Sequence, residues 1–143
     1  MVLIEKGRPV RGLWLLVFSV SLLPLLLLVF DVIEGRLGAD PAKEIVQNLG
    51  VWAAIFLWLS LFVSPMRRRL KVRWLIHFRR MLGLYSFFYL VLHFIAFSVF
   101  MLGLRLDLLV MEISKRPYIV VGMVALVLMV PLVVTSTKNA QKR

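Results

Sequence analysis

The sequence predicts an all-α integral membrane protein: a single domain, residues 1–143, of four transmembrane helices with the N-terminus and the C-terminus in the cytoplasm. Four long apolar stretches without a charged residue support this prediction, at about 12–30, 45–63, 81–104 and 118–134. Each has roughly the 17–25 residues that a helix needs to cross a hydrocarbon core about 30 Å thick. The apolar runs are continuous and do not alternate with polar residues, which excludes a transmembrane barrel.

The charges between the apolar stretches give the predicted orientation. The first loop carries a formal charge of −2 and the second +7, whereas the N-terminal segment carries +2, the third loop +1 and the tail +3. Because short cytoplasmic loops are enriched in Lys and Arg, the second loop lies inside and the first and third loops lie outside. The net charge of +11 therefore reflects membrane topology, and we expect no nucleic acid as a partner.

Several classes of chemistry lack the residues they need. The chain has no cysteine, which excludes disulfides, iron–sulfur clusters and a thiol nucleophile. Carboxylate pairs, Ser/His/Asp sets, Gly-rich phosphate loops and zinc-ligand spacings are also missing, so the sequence shows no residues that could catalyse hydrolysis or phosphoryl transfer.

The first apolar stretch has a basic start but no small-residue cleavage site after it, and we therefore expect an uncleaved anchor.

Prolines mark the predicted helix boundaries. Pro24 lies inside the first helix and should kink it. Asp40 and Pro41 have the residue types preferred at the N-cap and at the first helical position, so the second helix should begin there, outside the membrane. Pro65 should end that helix, and Pro117 suits the first turn of the fourth.

The basic second loop, residues 66–80, has two interpretations. Leu70, Trp74 and Phe78 recur at i, i+4 and i+8, which favours a short basic helix lying at the cytoplasmic interface. A loop that only sets the topology explains the same charges. We expect His77, which lies in this loop, to face water or lipid headgroups.

His93 is the residue that points to chemistry. It lies about 16 Å along the third helix, counted from Leu82, which places it near the membrane midplane. An ionisable side chain at that depth is costly and indicates a functional site, and neutral imidazole is an axial ligand of haem iron. Tyr89 and Phe97, one turn away on the same face, would supply aromatic walls for a porphyrin. A histidine hydrogen-bonded to a neighbouring helix explains the same position without a cofactor.

Short motifs follow one another in a characteristic order along residues 12–137. They are Pro65-Met66-Arg67-Arg68, Phe78-Arg79-Arg80-Met81-Leu82-Gly83-Leu84, Tyr89 four residues before His93, Lys115-Arg116-Pro117-Tyr118, Pro131 and Thr135-Ser136-Thr137. This order resembles the MsrQ (YedZ) family of haem-binding membrane subunits, which belongs to the ferric-reductase-like transmembrane domains.

The resemblance implies an electron-transfer subunit of the bacterial inner membrane that is not a catalyst by itself. Members of this family take electrons from quinone or from a cytoplasmic flavin donor such as FMN. They pass the electrons through haem b to a periplasmic molybdopterin enzyme, MsrP, which reduces methionine sulfoxide. His93 matches the family's haem-ligand histidine in the third helix. Arg79 and Arg80 either hold an acidic cofactor such as a flavin phosphate or anchor the helix end.

The sequence also departs from the family pattern. The family continues after the Thr-Ser-Thr motif with a fifth helix that carries further haem-ligand histidines, and usually with a sixth, whereas this sequence stops at Arg143. We therefore expect a truncated member that lacks the second axial ligand, because His77 lies at the cytoplasmic surface and cannot replace it. The alternative function is that of a cofactor-free four-helix membrane protein with a structural or interaction role.

Overall fold

The structure, a computed structural model, describes residues 4–5, 8–9, 11–71, 75–103 and 117–135. Over these ranges the chain is almost entirely helical, which confirms the predicted all-α class. The exception is a minimal N-terminal hairpin of two antiparallel two-residue strands. The elements are, in chain order, β1 (Ile4–Glu5), β2 (Arg8–Pro9), α1 (Arg11–Ile33), α2 (Pro41–Leu70), α3 (Ile76–Ala96), a π-helical turn that continues α3 (Phe97–Met101), and α4 (Pro117–Thr135).

The surface of the helices is apolar, as expected for a protein in lipid. Three helical stretches are long and apolar enough to cross a membrane, Gly12–Ile33, Pro41–Leu70 and Ile76–Met101, and α4 adds a shorter apolar stretch, Ile119–Pro131. Large apolar side chains point outward along these helices, and Trp58 is 74% exposed. Contiguous exposed apolar surface of this extent is rare on soluble proteins. The described helices therefore form the core of a membrane protein.

Helix α2 begins where the sequence predicts. Asp40 is its N-cap, with the carboxylate Oδ1 accepting the backbone N–H of Lys43 at 3.1 Å, and Pro41 is the first helical residue. The Glu44 side chain accepts a second backbone N–H, that of Gly38, at 2.7 Å. These bonds satisfy backbone donors that a helix start and its preceding loop leave without partners.

The prediction that Pro65 ends the second helix is wrong. Helix α2 continues through Pro65 to Leu70, and Lys71, which adopts a left-handed conformation with φ of 55°, ends it. A proline removes one helical hydrogen bond and bends a helix more readily than it ends one when the following residues favour helix. Here the last turn carries Arg67–Arg69, whose positive charges are favourable at the negative end of the helix dipole.

The basic loop is not a separate interfacial helix. Its first residues belong to α2 and its last residues, from Ile76, belong to α3. The left-handed conformation of Lys71 ends the helix to which Leu70 belongs, and Phe78 belongs to the next helix; Trp74 lies outside the described residues. Phe78 is buried in the core.

Helices α2 and α3 form the antiparallel pair at the centre of the fold. The buried residues of α2 alternate at spacings of three and four: Val46, Leu49, Ala53, Phe56 and Ser60. Three side chains bond backbone carbonyls across the pair, at seven-residue intervals on both helices: Ser60 Oγ to Arg79 O (2.9 Å), Ser86 Oγ to Ala53 O (2.8 Å) and His93 Nδ1 to Val46 O (2.7 Å). A seven-residue interval is the repeat of left-handed helix packing.

Helix α1 is attached to this pair by two tyrosines of α3. The Tyr85 hydroxyl donates to Phe18 O at 3.1 Å and the Tyr89 hydroxyl donates to Ser21 O at 2.9 Å. The same Tyr89 oxygen accepts the backbone N–H of Leu25 at 3.1 Å. Ser21 O and Leu25 N bond each other in a regular α-helix, so the hydroxyl bridges the helical ladder of α1 beside Pro24.

Candidate functional site

A cavity of about 680 Å³ lies between α2, α3 and α4. Its size falls within the range of about 300–1,000 Å³ that is typical of ligand and cofactor sites. Most of its wall is apolar or glycine, and its polar residues other than His93 come from the first turns of α2. The lining residues are Asp40, Lys43, Val46, Gln47, Gly50, Leu90, His93, Phe94, Phe97, Met101, Ile119, Gly122, Met123 and Leu126. We refer to this space as the α2–α4 cavity.

The imidazole of His93 is held by α2. Its Nδ1 lies 2.7 Å from the carbonyl oxygen of Val46. Because a carbonyl oxygen can only accept, this bond assigns the proton of the neutral ring to Nδ1. The other nitrogen, Nε2, then carries the lone pair, and this is the arrangement in which backbone-bonded histidines ligate metals. His93 is thus hydrogen-bonded to a neighbouring helix through one ring nitrogen, and the lone pair of the other nitrogen can bind a metal.

Gly50 makes the position of this ring possible. A β-carbon at residue 50 would lie 2.9 Å from His93 Nδ1 and 3.0 Å from its Cε1, distances that real side chains essentially never show. The sequence analysis did not single out Gly50. Its signal is a glycine in the interior of an apolar helix, which often marks a close approach by another group.

The pairing with α2 also shows which level of α2 His93 faces. It is level with Val46, two residues after Glu44 and roughly 8 Å along the axis from the start of α2. His93 therefore lies nearer the Pro41 end of α2 than its Leu70 end. A count along the third helix alone does not show this pairing, because it depends on how α2 and α3 are staggered.

Phe97 lies in the cavity with His93, as the sequence predicts for two residues one turn apart. It begins the π-helical turn, and its backbone N–H bonds the carbonyls of both His93 and Phe94. Met101, the last residue of this turn, lines the cavity as well. Single π-turns within α-helices frequently occur at functional sites.

Tyr89 faces a different direction. It is fully buried, its hydroxyl bonds the backbone of α1, and its ring stacks on Phe56 at a centroid distance of 5.2 Å. Among the residues that the structure describes, it is not part of the cavity wall. The structure therefore brings Phe97, but not Tyr89, into the cavity beside His93.

The remaining candidate residues lie at the other end of α3. His77 is exposed in its first turn, and Arg79 and Arg80 follow, more than ten residues before His93. The carbonyl of Arg79 accepts the Ser60 hydroxyl. None of these residues takes part in the α2–α4 cavity.

The cavity offers few protein groups that could coordinate a metal, which suits a cofactor whose metal already has most of its ligands. No group of three or more His, Cys, Asp or Glu that could hold a metal ion occurs in the described ranges. A bare metal ion in a protein site usually has three or four protein ligands. Haem iron needs only one or two axial ligands, so one imidazole in an apolar cavity fits haem better than a free ion.

Comparison with known proteins gives the family. Residues 49–143 match the family described as ferric reductase like transmembrane component. The chain is 40% identical, over 136 residues, to the protein-methionine-sulfoxide reductase heme-binding subunit MsrQ of Ralstonia nicotianae, an alignment that covers 95% of this chain and 63% of that protein. It is 41% identical to MsrQ of Herminiimonas arsenicoxydans (90% of this chain, 59% of that protein) and to MsrQ of Brucella melitensis (92% and 60%). No solved structure matches the chain.

The chain spans about three fifths of the length of these curated relatives. The segment that matches the family begins within α2 and includes Gly50, His93 and all of α3 and α4. The resemblance to MsrQ that the sequence predicts is confirmed, and so is the location in the bacterial inner membrane as a multi-pass protein. The chain belongs to the ferric-reductase-like transmembrane family, and the curated proteins it resembles are MsrQ subunits.

Proposed function

We propose that the chain binds haem b through Nε2 of His93 and serves as an electron-transfer subunit of a methionine sulfoxide reductase system. The observation that carries the proposal is the Nδ1–Val46 hydrogen bond, which leaves Nε2 of a neutral imidazole as the metal-binding nitrogen in a cavity of suitable size. The similar MsrQ proteins are heme-binding subunits by name, which supports the same cofactor.

The residues of the chain have distinct roles in this proposal. Val46 O orients the His93 ring and directs Nε2 away from α2, as carbonyl partners of ligating histidines do. Gly50 leaves the room that the His93 ring itself occupies, Gly122 lines the cavity without a side chain, and Phe97 belongs to the apolar wall that excludes water. Burial and exclusion of water are among the means by which a protein sets a redox potential. Haem, when bound, supplies the one-electron chemistry.

The predicted topology belongs to the same proposal. Four helices cross the membrane, the basic turn between α2 and α3 lies in the cytoplasm, and the loop between α1 and α2 lies in the periplasm. His93 lies toward the periplasmic end of the helix pair in this orientation. This position favours electron delivery to a periplasmic molybdopterin partner of the MsrP type, with quinone or an FMN-bearing donor on the supply side.

One observation favours a second function. Among the described residues, His93 makes one of the side-chain hydrogen bonds that join α2 and α3 at seven-residue intervals, together with Ser60 and Ser86. Such bonds stabilise helix pairs in membranes without any cofactor. A cofactor-free structural or interaction protein would use His93 only in this way, as it uses Ser60 and Ser86.

The two functions are separated by titrating the purified chain with haemin in detergent. We expect a Soret band of a high-spin ferric haem with one histidine ligand. His93→Ala should still insert in the membrane but lose this band, whereas the matched control His77→Ala, at the exposed end of α3, should keep it. In cells, His93→Ala should stop electron delivery to the periplasmic reductase. If His93→Ala retains the haem spectrum, the ligand assignment fails and the structural role of His93 stands.

A further inference from the structure

We propose that Lys43 binds a carboxylate of the group that occupies the α2–α4 cavity and thereby fixes which way the acidic edge of that group faces. The inference rests on the proposed function, because haem carries two propionates that need polar partners. It goes further by assigning the partner and the orientation: the acidic edge lies toward the loop between α1 and α2.

The first argument is the distribution of polarity in the cavity. Lys43 lies three residues before Val46 and seven before Gly50, so that all three occupy one face of α2 and line the same space as His93. Apart from His93, the polar lining residues of the described part are Asp40, Lys43 and Gln47, from the first turns of α2. A ligand with one acidic edge and an otherwise apolar surface matches this division.

The second argument is that Lys43 has no carboxylate partner in the described ranges. The ion pair found there joins Arg36 to Glu34 at 3.7 Å. The two carboxylates nearest in sequence have other roles: Asp40 accepts the backbone N–H of Lys43, and Glu44 accepts that of Gly38. Among the described residues that line the cavity, Lys43 therefore offers a positive charge that a ligand can pair with.

The third argument is the location of the charge on its helix. Lys43 lies in the first turn of α2, where the helix dipole is positive and a cation is unfavourable. A bound carboxylate offsets this unfavourable interaction, because both the ammonium group and the positive end of the helix attract the negative charge. At the other end of the pair, Arg67–Arg69 and Arg79 lie outside the cavity.

The test compares two forms of the cofactor, haemin and haemin dimethyl ester, whose propionates are esterified and uncharged. Both are titrated into the full chain in detergent, and the Soret band is followed. Each titration is repeated in the His93→Ala variant to subtract partition into the detergent. We expect the wild-type chain to bind haemin about three- to tenfold more tightly than the ester, as for a charge-assisted contact at a partly exposed site. This preference should weaken with added salt.

Three variants locate the preference. Lys43→Gln should bind haemin and the ester equally well, while Lys43→Arg should keep the preference for haemin. Arg36→Gln is the matched control, since it removes a positive charge from the same loop region but not from the cavity. It should keep the preference.

The outcomes separate this inference from the proposed function. If neither form of the cofactor binds to wild type above the His93→Ala background, the proposed function fails and the inference fails with it. If both forms bind through His93 but Lys43→Gln keeps the preference for haemin, the haem site stands and the role of Lys43 is wrong. Equal loss of the preference in Lys43→Gln and Arg36→Gln assigns it to the general charge of the loop and also overturns the inference.

Discussion

Gly50 lies against the imidazole of His93, so closely that a β-carbon at residue 50 would be 2.9 Å from Nδ1. Four residues earlier on the same face of α2, the carbonyl of Val46 accepts the proton of that nitrogen. One turn of α2 therefore supplies both the bond that orients the ring and the space into which it fits. The direction of Nε2 is set by α2, although the histidine belongs to α3.

The first prediction is that Gly50→Ala displaces the His93 ring. The added methyl group breaks the bond to Val46, and overpacking at a tight contact costs about 1–3 kcal/mol of stability. We expect lower stability in detergent unfolding and a much weaker Soret band on haemin titration. Gly83→Ala is the control, because its β-carbon would lie 3.4 Å from Ser60 Oγ in the same helix pair, an ordinary contact. Equal behaviour of the two variants would show that the contact with His93 is unimportant.

The second prediction concerns the attachment of α1. Tyr89→Phe keeps the ring that stacks on Phe56 but removes the hydroxyl that contacts Ser21 O and Leu25 N. We expect a loss of about 1–2 kcal/mol, near the upper end for side-chain hydrogen bonds in membranes, because two backbone groups beside Pro24 lose their partner.

Tyr85→Phe is the matched control for this change, since its hydroxyl makes one bond to the same helix. We expect it to cost less than Tyr89→Phe, and we expect the Leu25 amide to exchange faster only in Tyr89→Phe. The measurements are unfolding in detergent and hydrogen–deuterium exchange of the α1 backbone. A larger effect for Tyr85→Phe would contradict the bridging role of Tyr89.

Much of the fold follows from local sequence rules. Continuous apolar stretches and the Asp40–Pro41 pair predict the helices and the start of α2, because these features depend on residues close together in sequence. The prediction at Pro65 is wrong because a proline bends a helix more readily than it ends one when the following residues favour helix. The prediction of one interfacial helix in the basic loop is wrong because the apolar periodicity cannot show that Lys71 interrupts the helix.

The site is predicted less completely than the fold. His93 stands out because an ionisable residue in an apolar helix is rare, and Phe97 follows from helical spacing. The places of Gly50 and Lys43 in the site, and the pairing of His93 with Val46, depend on how α2 is staggered against α3, which neither helix shows alone. Tyr89 shares a helix face with His93 on a helical wheel, yet the two side chains bond different neighbouring helices.

The third prediction concerns the seven-residue series of bonds between α2 and α3. Ser86→Ala removes the bond to Ala53 O from a residue that is only 1% exposed, and we expect a loss of about 0.6 kcal/mol, the average for such bonds in membranes. Ser98→Ala, which removes a bond to Phe94 O within the same helix, should cost less. Unfolding of both variants in detergent checks this order, and its reversal would argue against the series as a source of stability.

The last prediction is the topology on which electron delivery depends. The turn after α2 should be cytoplasmic, because Arg67–Arg69 lie in the last turn of α2 and basic segments stay inside. The loop that contains Leu37 should be periplasmic, since acidic residues outnumber basic ones there. Fusions of alkaline phosphatase, which is active only outside, and of green fluorescent protein, which fluoresces only inside, are made after Leu37 and after Lys71. We expect phosphatase activity from the first position and fluorescence from the second. A cytoplasmic result at Leu37 would place His93 near the inner surface and remove the support that its position gives to a periplasmic electron acceptor.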